Sequence, residues 1–165
     1  MILTLLKRKL IFDKIKFFPN NTQISIAFIE NKKVHSYGVK RENDKIVSVE
    51  NRIMVFEIGS ITKVFTSTLL AGFVLENKIK LDDNISEYLK LRLKDNQKIT
   101  FKELANHTSG LPRDAQNRGF ALFRDFDNPD KDYDEEKLLE YIADKMKLRE
   151  KKHSYSNIGA AVLGY

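Results

Sequence analysis

The chain has 165 residues and a formal net charge of +6, enough length for one ordinary domain with a real core. With 42% hydrophobic and 32% charged residues it reads as globular, which excludes a disordered chain. It has no cysteine, which excludes a disulfide framework, a thiol nucleophile and cysteine-based zinc sites.

Residues 2–18 carry apolar side chains at Leu3, Leu6, Leu10, Ile11, Ile15 and Phe18, a helical spacing interleaved with Lys7, Arg8, Lys14 and Lys16. The favoured reading is a helix packed on the domain's own sheet. A basic helix lying on a membrane surface is the alternative. The basic cluster follows the short apolar run, the reverse of a secretory signal, and no stretch approaches transmembrane length. The compartment stays open. Pro19-Asn20-Asn21 ends the helix.

Ile24 to Ile29 is rich in β-branched and aromatic residues and is predicted to be a strand. Glu30-Asn31-Lys32-Lys33 supplies a turn and Val34 to Val39 a second strand, so the pair reads as an antiparallel hairpin. A charged connection is expected up to about Val49, then the short apolar run Ile53-Met54-Val55-Phe56. From Ile61 to Glu76 apolar residues recur at helical spacing, and the opposite side is hardly polar. Such a helix is expected to be buried, which makes Lys63 costly at its start without a partner. Leu81-Asp82-Asp83-Asn84 is turn-like. Thr100-Phe101-Lys102-Glu103 is a capping box opening a short helix, and residues 106–112 end it in a polar turn. The region from Phe120 to Asp130, with three phenylalanines, is read as a long loop lining a cleft. Glu135 to Leu148 is predicted to be an amphipathic helix with Leu138, Leu139, Ile142 and Met146 inward.

His35, His107 and His153 lie far apart and show no metal-ligand spacing, so no metal or cofactor is expected. The lysines are interleaved with acids, as in residues 131–137. They form no basic stripe, so nucleic acid is not expected as a partner despite the net charge.

Two patterns point to chemistry. In Ser60-Ile61-Thr62-Lys63 a hydroxyl and an amine stand three residues apart at a helix start, on one face and one turn apart. A serine becomes nucleophilic when a neighbouring base takes its proton, and a desolvated lysine can be that base. Alone, the pair reads first as a helix cap with a solvated lysine. In Tyr155-Ser156-Asn157 two polar side chains flank one residue and can project from one turn into one cleft. A phenolate can serve as a base, and an asparagine can fix a lysine or a substrate amide.

Three segments then agree in order. Phe56 to Lys63, Leu104 to Pro112 and Tyr155-Ser156-Asn157 resemble the class C β-lactamase and serine D,D-peptidase family of penicillin-recognising serine hydrolases. The hairpin matches its opening strands, so the likeness runs from about residue 20 to 165. It implies an α+β, β-lactamase-like fold of helices with an antiparallel sheet. Ser60 resembles the nucleophile that forms the acyl-enzyme, and its N–H one oxyanion donor. Lys63 resembles the activating partner. Tyr155 resembles the tyrosine that shuttles the proton to the leaving group and from water. Asn157 resembles the asparagine that orients Lys63 and the substrate amide. His107, Thr108 and Ser109 match a segment with a structural, turn-stabilising role. The implied reaction is cleavage of an amide or ester, whether a β-lactam, a D-amino-acid peptide or an ester. The implied partner is a small molecule or a peptidoglycan-type peptide. Members of the family usually work in the cell envelope or periplasm.

The chain also departs from the pattern. The family's third element, a Lys/His-x-Gly triad on a late strand, has no match here, and Glu150-Lys151-Lys152 replaces a common Pro-Gly. The chain therefore reads as the N-terminal part of one β-lactamase-like domain. Residues 1–78 would give a helix, hairpin and nucleophile helix, and residues 79–165 the start of the helical part. Two strands do not make a stable sheet alone, and the helix at 61–76 would lose apolar cover, which favours self-association. The alternative function is a catalytically incomplete fragment that acts only as a binding or interaction module.

Overall fold

A computed structural model describes residues 5–89, 92–117, 128 and 130–165, with side chains described from residue 9 onward. The expected cleft-lining loop at 120–130 lies largely outside the described residues, as do the side chains of Leu3, Leu6, Lys7 and Arg8. The chain divides into two compact units, residues 1–57 and 58–165.

In the first unit, helix α1 spans Leu5–Ile15 and ends before the expected limit at residue 18, while the expected start at residue 2 lies outside the described residues. Pro19 disfavours helical backbone at the residue before it, and the helix has already ended. Ile15 is buried, but Leu10 and Phe18 are exposed, so the expected apolar stripe is only partly used. The Arg41 guanidinium ties the helix end to the sheet by donating to the carbonyls of Lys16 and Phe18.

The sheet corrects the sequence reading. Its strands are β1 (Gln23–Glu30), β2 (Lys33–Glu42) and β3 (Lys45–Val49), paired antiparallel in that order. Residues 40–49, expected to be a charged connection, form a second hairpin. Both two-residue turns are left-handed at both positions, with φ of 50° and 63° at Asn31 and Lys32, and 49° and 61° at Asn43 and Asp44. That geometry matches the twist of the flanking strands, and asparagine and aspartate tolerate it well. The charges that hid the hairpin sit on its outer side, where Lys40 and Glu42 pair at 2.7 Å.

In the second unit a single 3₁₀ turn, Gly59–Ile61, leads into helix α2 (Thr62–Leu75). The helix is not buried as its apolar periphery alone requires, and it shows the loss of apolar cover expected from the chain's departure from the family pattern. Leu70 is buried, while Val64, Phe65 and Leu69 are 63%, 60% and 66% exposed. In this unit α2 packs on helix α5 (Asn157–Gly164).

Helix α3 spans Phe101–Ala105 and has the expected capping box. The Thr100 hydroxyl accepts the Glu103 N–H at 3.2 Å, and the Glu103 carboxylate accepts the Thr100 N–H at 3.0 Å. Helix α4 spans Glu135–Glu140, capped by Asp134, and continues as one π turn over Tyr141–Lys145. The predicted helix thus ends before Leu148. Met146 is buried in extended backbone beyond it, Leu139 is only half-buried, and Tyr141 takes a buried place that the spacing did not assign. The core gathers Ile85, Leu93, Ile99, Leu104, Leu111, Leu138, Tyr141, Ile142, Met146, Ile158 and Val162. The architecture is α+β, a partial domain of helices and a three-stranded antiparallel sheet. Among the described residues no helix is long and apolar enough to cross a membrane.

Candidate active site

Gly59, with φ of 53°, turns the backbone in the left-handed region where glycine is at ease, and delivers Ser60 to the first helical turn before α2. Lys63 follows one turn later, on the same face. The other two residues come from the start of α5. Ser156 caps that helix, its hydroxyl accepting the Gly159 N–H at 2.8 Å and donating to the Pro112 carbonyl at 2.7 Å. The Asn157 N–H donates to the Arg113 carbonyl at 2.7 Å. Tyr155 and Asn157, on either side of the buried cap, are thereby pinned to the 109–114 segment.

That segment is itself anchored. Gly110 has φ of 79°, and its carbonyl accepts the Arg149 N–H at 2.8 Å. A Cβ at this position would lie 2.4 Å from the Arg149 carbonyl oxygen. Both the left-handed backbone and the close approach require glycine. Gly110→Ala is expected to lower stability by about 2–3 kcal/mol, read as a drop in denaturation midpoint.

The four residues named from the sequence meet. Ser60 Oγ lies 2.6 Å from Tyr155 Oη and 3.3 Å from Lys63 Nζ. Lys63 Nζ donates to Asn157 Oδ1 at 3.0 Å and stands 5.0 Å from the centre of the Tyr155 ring. Lys63 is half-buried rather than enclosed, and its cost of burial is met by these partners. An ammonium only donates, so Lys63 supplies protons to both Ser60 Oγ and Asn157 Oδ1, leaving Tyr155 to exchange the Ser60 proton. The Lys63 ammonium, with the Ser60 hydroxyl next in effect, holds the Tyr155 phenol below the ordinary tyrosine range. Arg113, 5.2 Å from the ring centre, pulls in the same direction.

Two neighbours escaped the sequence reading. Asp114 accepts a hydrogen bond from Asn157 Nδ2 at 3.0 Å. A carboxylate can only accept, so it forces the amide nitrogen toward itself and the amide oxygen toward Lys63. Arg113 lies over Tyr155. Neither stands in a recognisable spacing, and the signal was only their place directly after Pro112. His107, expected to stabilise a turn, touches the site directly: its ring centre is 4.8 Å from that of Tyr155. Among the described residues no group of three His, Asp or Glu side chains converges to hold a metal ion.

The constellation can pass a proton from a serine hydroxyl to a phenolate beside a fixed cation, and a serine with a neighbouring base is a known way to attack a carbonyl. A family model described as beta-lactamase matches residues 22–165. The chain is 39% identical over 105 residues to a beta-lactamase of Pseudomonas fluorescens, covering 58% of this chain and 28% of that protein. It is 31% identical over 160 residues to a beta-lactamase of Providencia stuartii, covering 92% of this chain and 38% of that protein. To the D-alanyl-D-alanine-carboxypeptidase/endopeptidase AmpH of Escherichia coli K12 it is 30% identical over 108 residues, covering 62% of this chain and 28% of that protein. The chain thus spans well under half the length of these relatives. The family match, by contrast, runs through nearly all of this chain, both of its units and the whole Ser60–Asn157 constellation: the chain belongs to the β-lactamase family.

Proposed function

We propose that this chain carries the nucleophile and proton-transfer residues of an acyl-serine hydrolase, as the N-terminal part of a β-lactamase-like domain. The hydrogen-bonded chain Ser60–Tyr155 with Lys63–Asn157 is the observation that carries the reading. Ser60 Oγ attacks the carbonyl of an amide or ester and forms a new C–O bond. Its proton passes to Tyr155 Oη, which acts as the phenolate and becomes a phenol. The carbonyl bond to the leaving group breaks, and Tyr155 returns the proton to that group. Water then gives a proton to the Tyr155 phenolate and its oxygen bonds to the acyl carbon, the Ser60 Oγ–acyl bond breaks, and Tyr155 returns the proton to Ser60 Oγ as the acid leaves. The Ser60 N–H, at the first turn before α2, serves as an oxyanion donor, a contribution typically worth about 10²–10³ in rate. The likeness to AmpH and to the two beta-lactamases supports a β-lactam or a D-amino-acid peptide as substrate.

The test is covalent labelling of the full-length protein with a fluorophosphonate and a fluorescent penicillin. Peptide mass spectrometry should place the adduct on Ser60, and Ser60→Ala should carry none. No adduct on Ser60 with either probe would refute the reading. Asp114→Ala, which releases the Asn157 amide to rotate, is expected to slow labelling about tenfold without moving the adduct.

The exposed apolar side of α2 favours a second reading, a module that binds another surface without turnover. On that reading, hydrolysis of nitrophenyl acetate equals that of the Ser60→Ala protein.

A further inference from the structure

His107 stands where the end of α3 meets the strand-like segment 153–156, and it holds that segment at three points. Its carbonyl accepts the Ser154 N–H at 2.8 Å. Its Nδ1 accepts the Ser156 N–H at 3.2 Å. Its ring packs on the Tyr155 ring at 4.8 Å, tilted by 42°. The residues it grips are the two neighbours of Tyr155, so the side chain between them has little freedom to move. Its backbone, with φ of 57°, is in the left-handed region that turns both carbonyl and ring toward this segment.

The bond to Ser156 also fixes a protonation state. A backbone N–H can only donate, so Nδ1 must present its lone pair. The imidazole is then neutral, with its proton on Nε2. A second proton would occupy Nδ1 and break the bond. It would also put a positive charge beside Lys63 of α2 and His153, whose ring lies at 6.3 Å.

We propose that His107 is a positioning residue for Tyr155, able to act only as the neutral Nε2–H tautomer, so that its protonation releases the Tyr155 hydroxyl from Ser60. Burial, then the nearby Lys63 charge and then His153, hold the imidazole below its ordinary value near 6.5. The sign follows: the neutral, gripping form persists at neutral pH and is lost as pH falls through that lowered value. The contact is indirect, through the segment rather than the reacting atoms. His107 therefore controls where Tyr155 Oη sits and not the proton it carries. A displacement of about 1 Å at a reacting group can cost about 10²-fold in rate, which is the scale available to such a residue.

The proposal rests on the Ser60 reading for its rate effects but not for its geometry, and the experiment separates the two. ¹⁵N-histidine NMR of the full chain should show His107 Nδ1 unprotonated at neutral pH, with a coupling to the Ser156 N–H. Acid titration of His107 should shift the Tyr155 ring protons at the same midpoint. Assignment uses His35→Gln and His153→Gln. Nδ1 protonated at neutral pH, or Tyr155 signals indifferent to the titration, overturns the proposal whatever the catalytic result. In the labelling assay His107→Ala should be about 10- to 100-fold slower, and His107→Asn, whose Oδ1 replaces Nδ1 as acceptor, should recover most of that loss. The ratio of the Asn variant's rate to wild type should rise as pH falls below the imidazole's transition, because only the wild type loses its grip there. An Ala variant as fast as wild type, or an Asn-to-wild-type ratio flat with pH, overturns it. Wild-type protein unlabelled on Ser60 counts against the hydrolase reading alone, and the NMR arm still decides the role of His107.

Discussion

Lys63→Met should slow acylation of Ser60 by about 10³-fold or more, with the fold intact. Methionine keeps the unbranched stem and removes the charge. Three consequences then coincide. Ser60 Oγ loses a donor at 3.3 Å, Asn157 Oδ1 loses one at 3.0 Å, and the Tyr155 ring loses the cation 5.0 Å from its centre. The Lys63 ammonium is the largest cause of the lowered Tyr155 value, so the variant should also return that phenol toward the ordinary tyrosine range. Tyrosinate absorbance, taken as the difference from a Tyr155→Phe protein, measures this shift directly. Lys63→Arg should not rescue the rate, because a planar guanidinium is longer and cannot place one compact charge between Ser60, Tyr155 and Asn157. Acylation of the Met variant within tenfold of wild type, or an unmoved Tyr155 transition, would contradict this account. Stability should change little, since Lys63 is half-buried and the first turn of α2 is exposed on both sides of it.

Much of the site was legible because its grammar is local. Ser60 and Lys63 share a face through their three-residue spacing, Tyr155 and Asn157 flank the Ser156 cap, and the ordered likeness of three segments singled them out. The capping box at Thr100 and Glu103 is a spacing rule with a direct backbone consequence, and it appears as read. What failed depended on distant partners. The α2 sequence reads as buried because its apolar residues surround the helix, but burial is decided by what packs against them, and α5 covers one side. The third strand was hidden because Lys40, Glu42 and Lys45 depress strand propensity, while the left-handed Asn43-Asp44 turn restores it. Asp114 and His107 acquire meaning only when the 106–114 and 153–157 segments are brought together by Gly110, Ser156 and the Arg113 carbonyl. A π turn placing Tyr141 in the core also lies outside what a regular 3.6-residue spacing can show.

Tyr155→Phe is the sharper test of which group takes the Ser60 proton. The substitution removes one oxygen and keeps the ring, so the packing on His107 and the Lys63 and Arg113 contacts to the ring face survive. Stability should move by no more than about 1 kcal/mol, the net scale of one hydrogen bond. The acylation rate should fall about 10²–10³-fold, the range of a positioned general base. The pH profile separates a base from a mere contact. The Tyr155 transition is lowered by Lys63, so phenolate is present at lower pH than in a free tyrosine. If phenolate accepts the Ser60 proton, the wild-type rate rises with pH through that transition and levels above it. In the Phe variant this limb should vanish, while the separate steepening assigned to His107 at lower pH should be lost with it, because there is no longer a hydroxyl to position. A Phe variant that keeps the wild-type pH limb would shift the base role to Lys63, whose neutral amine would then have to take the proton across the 3.3 Å contact. The two substitutions thus divide the labour of the site between a cation that sets the phenol and a phenol that moves the proton.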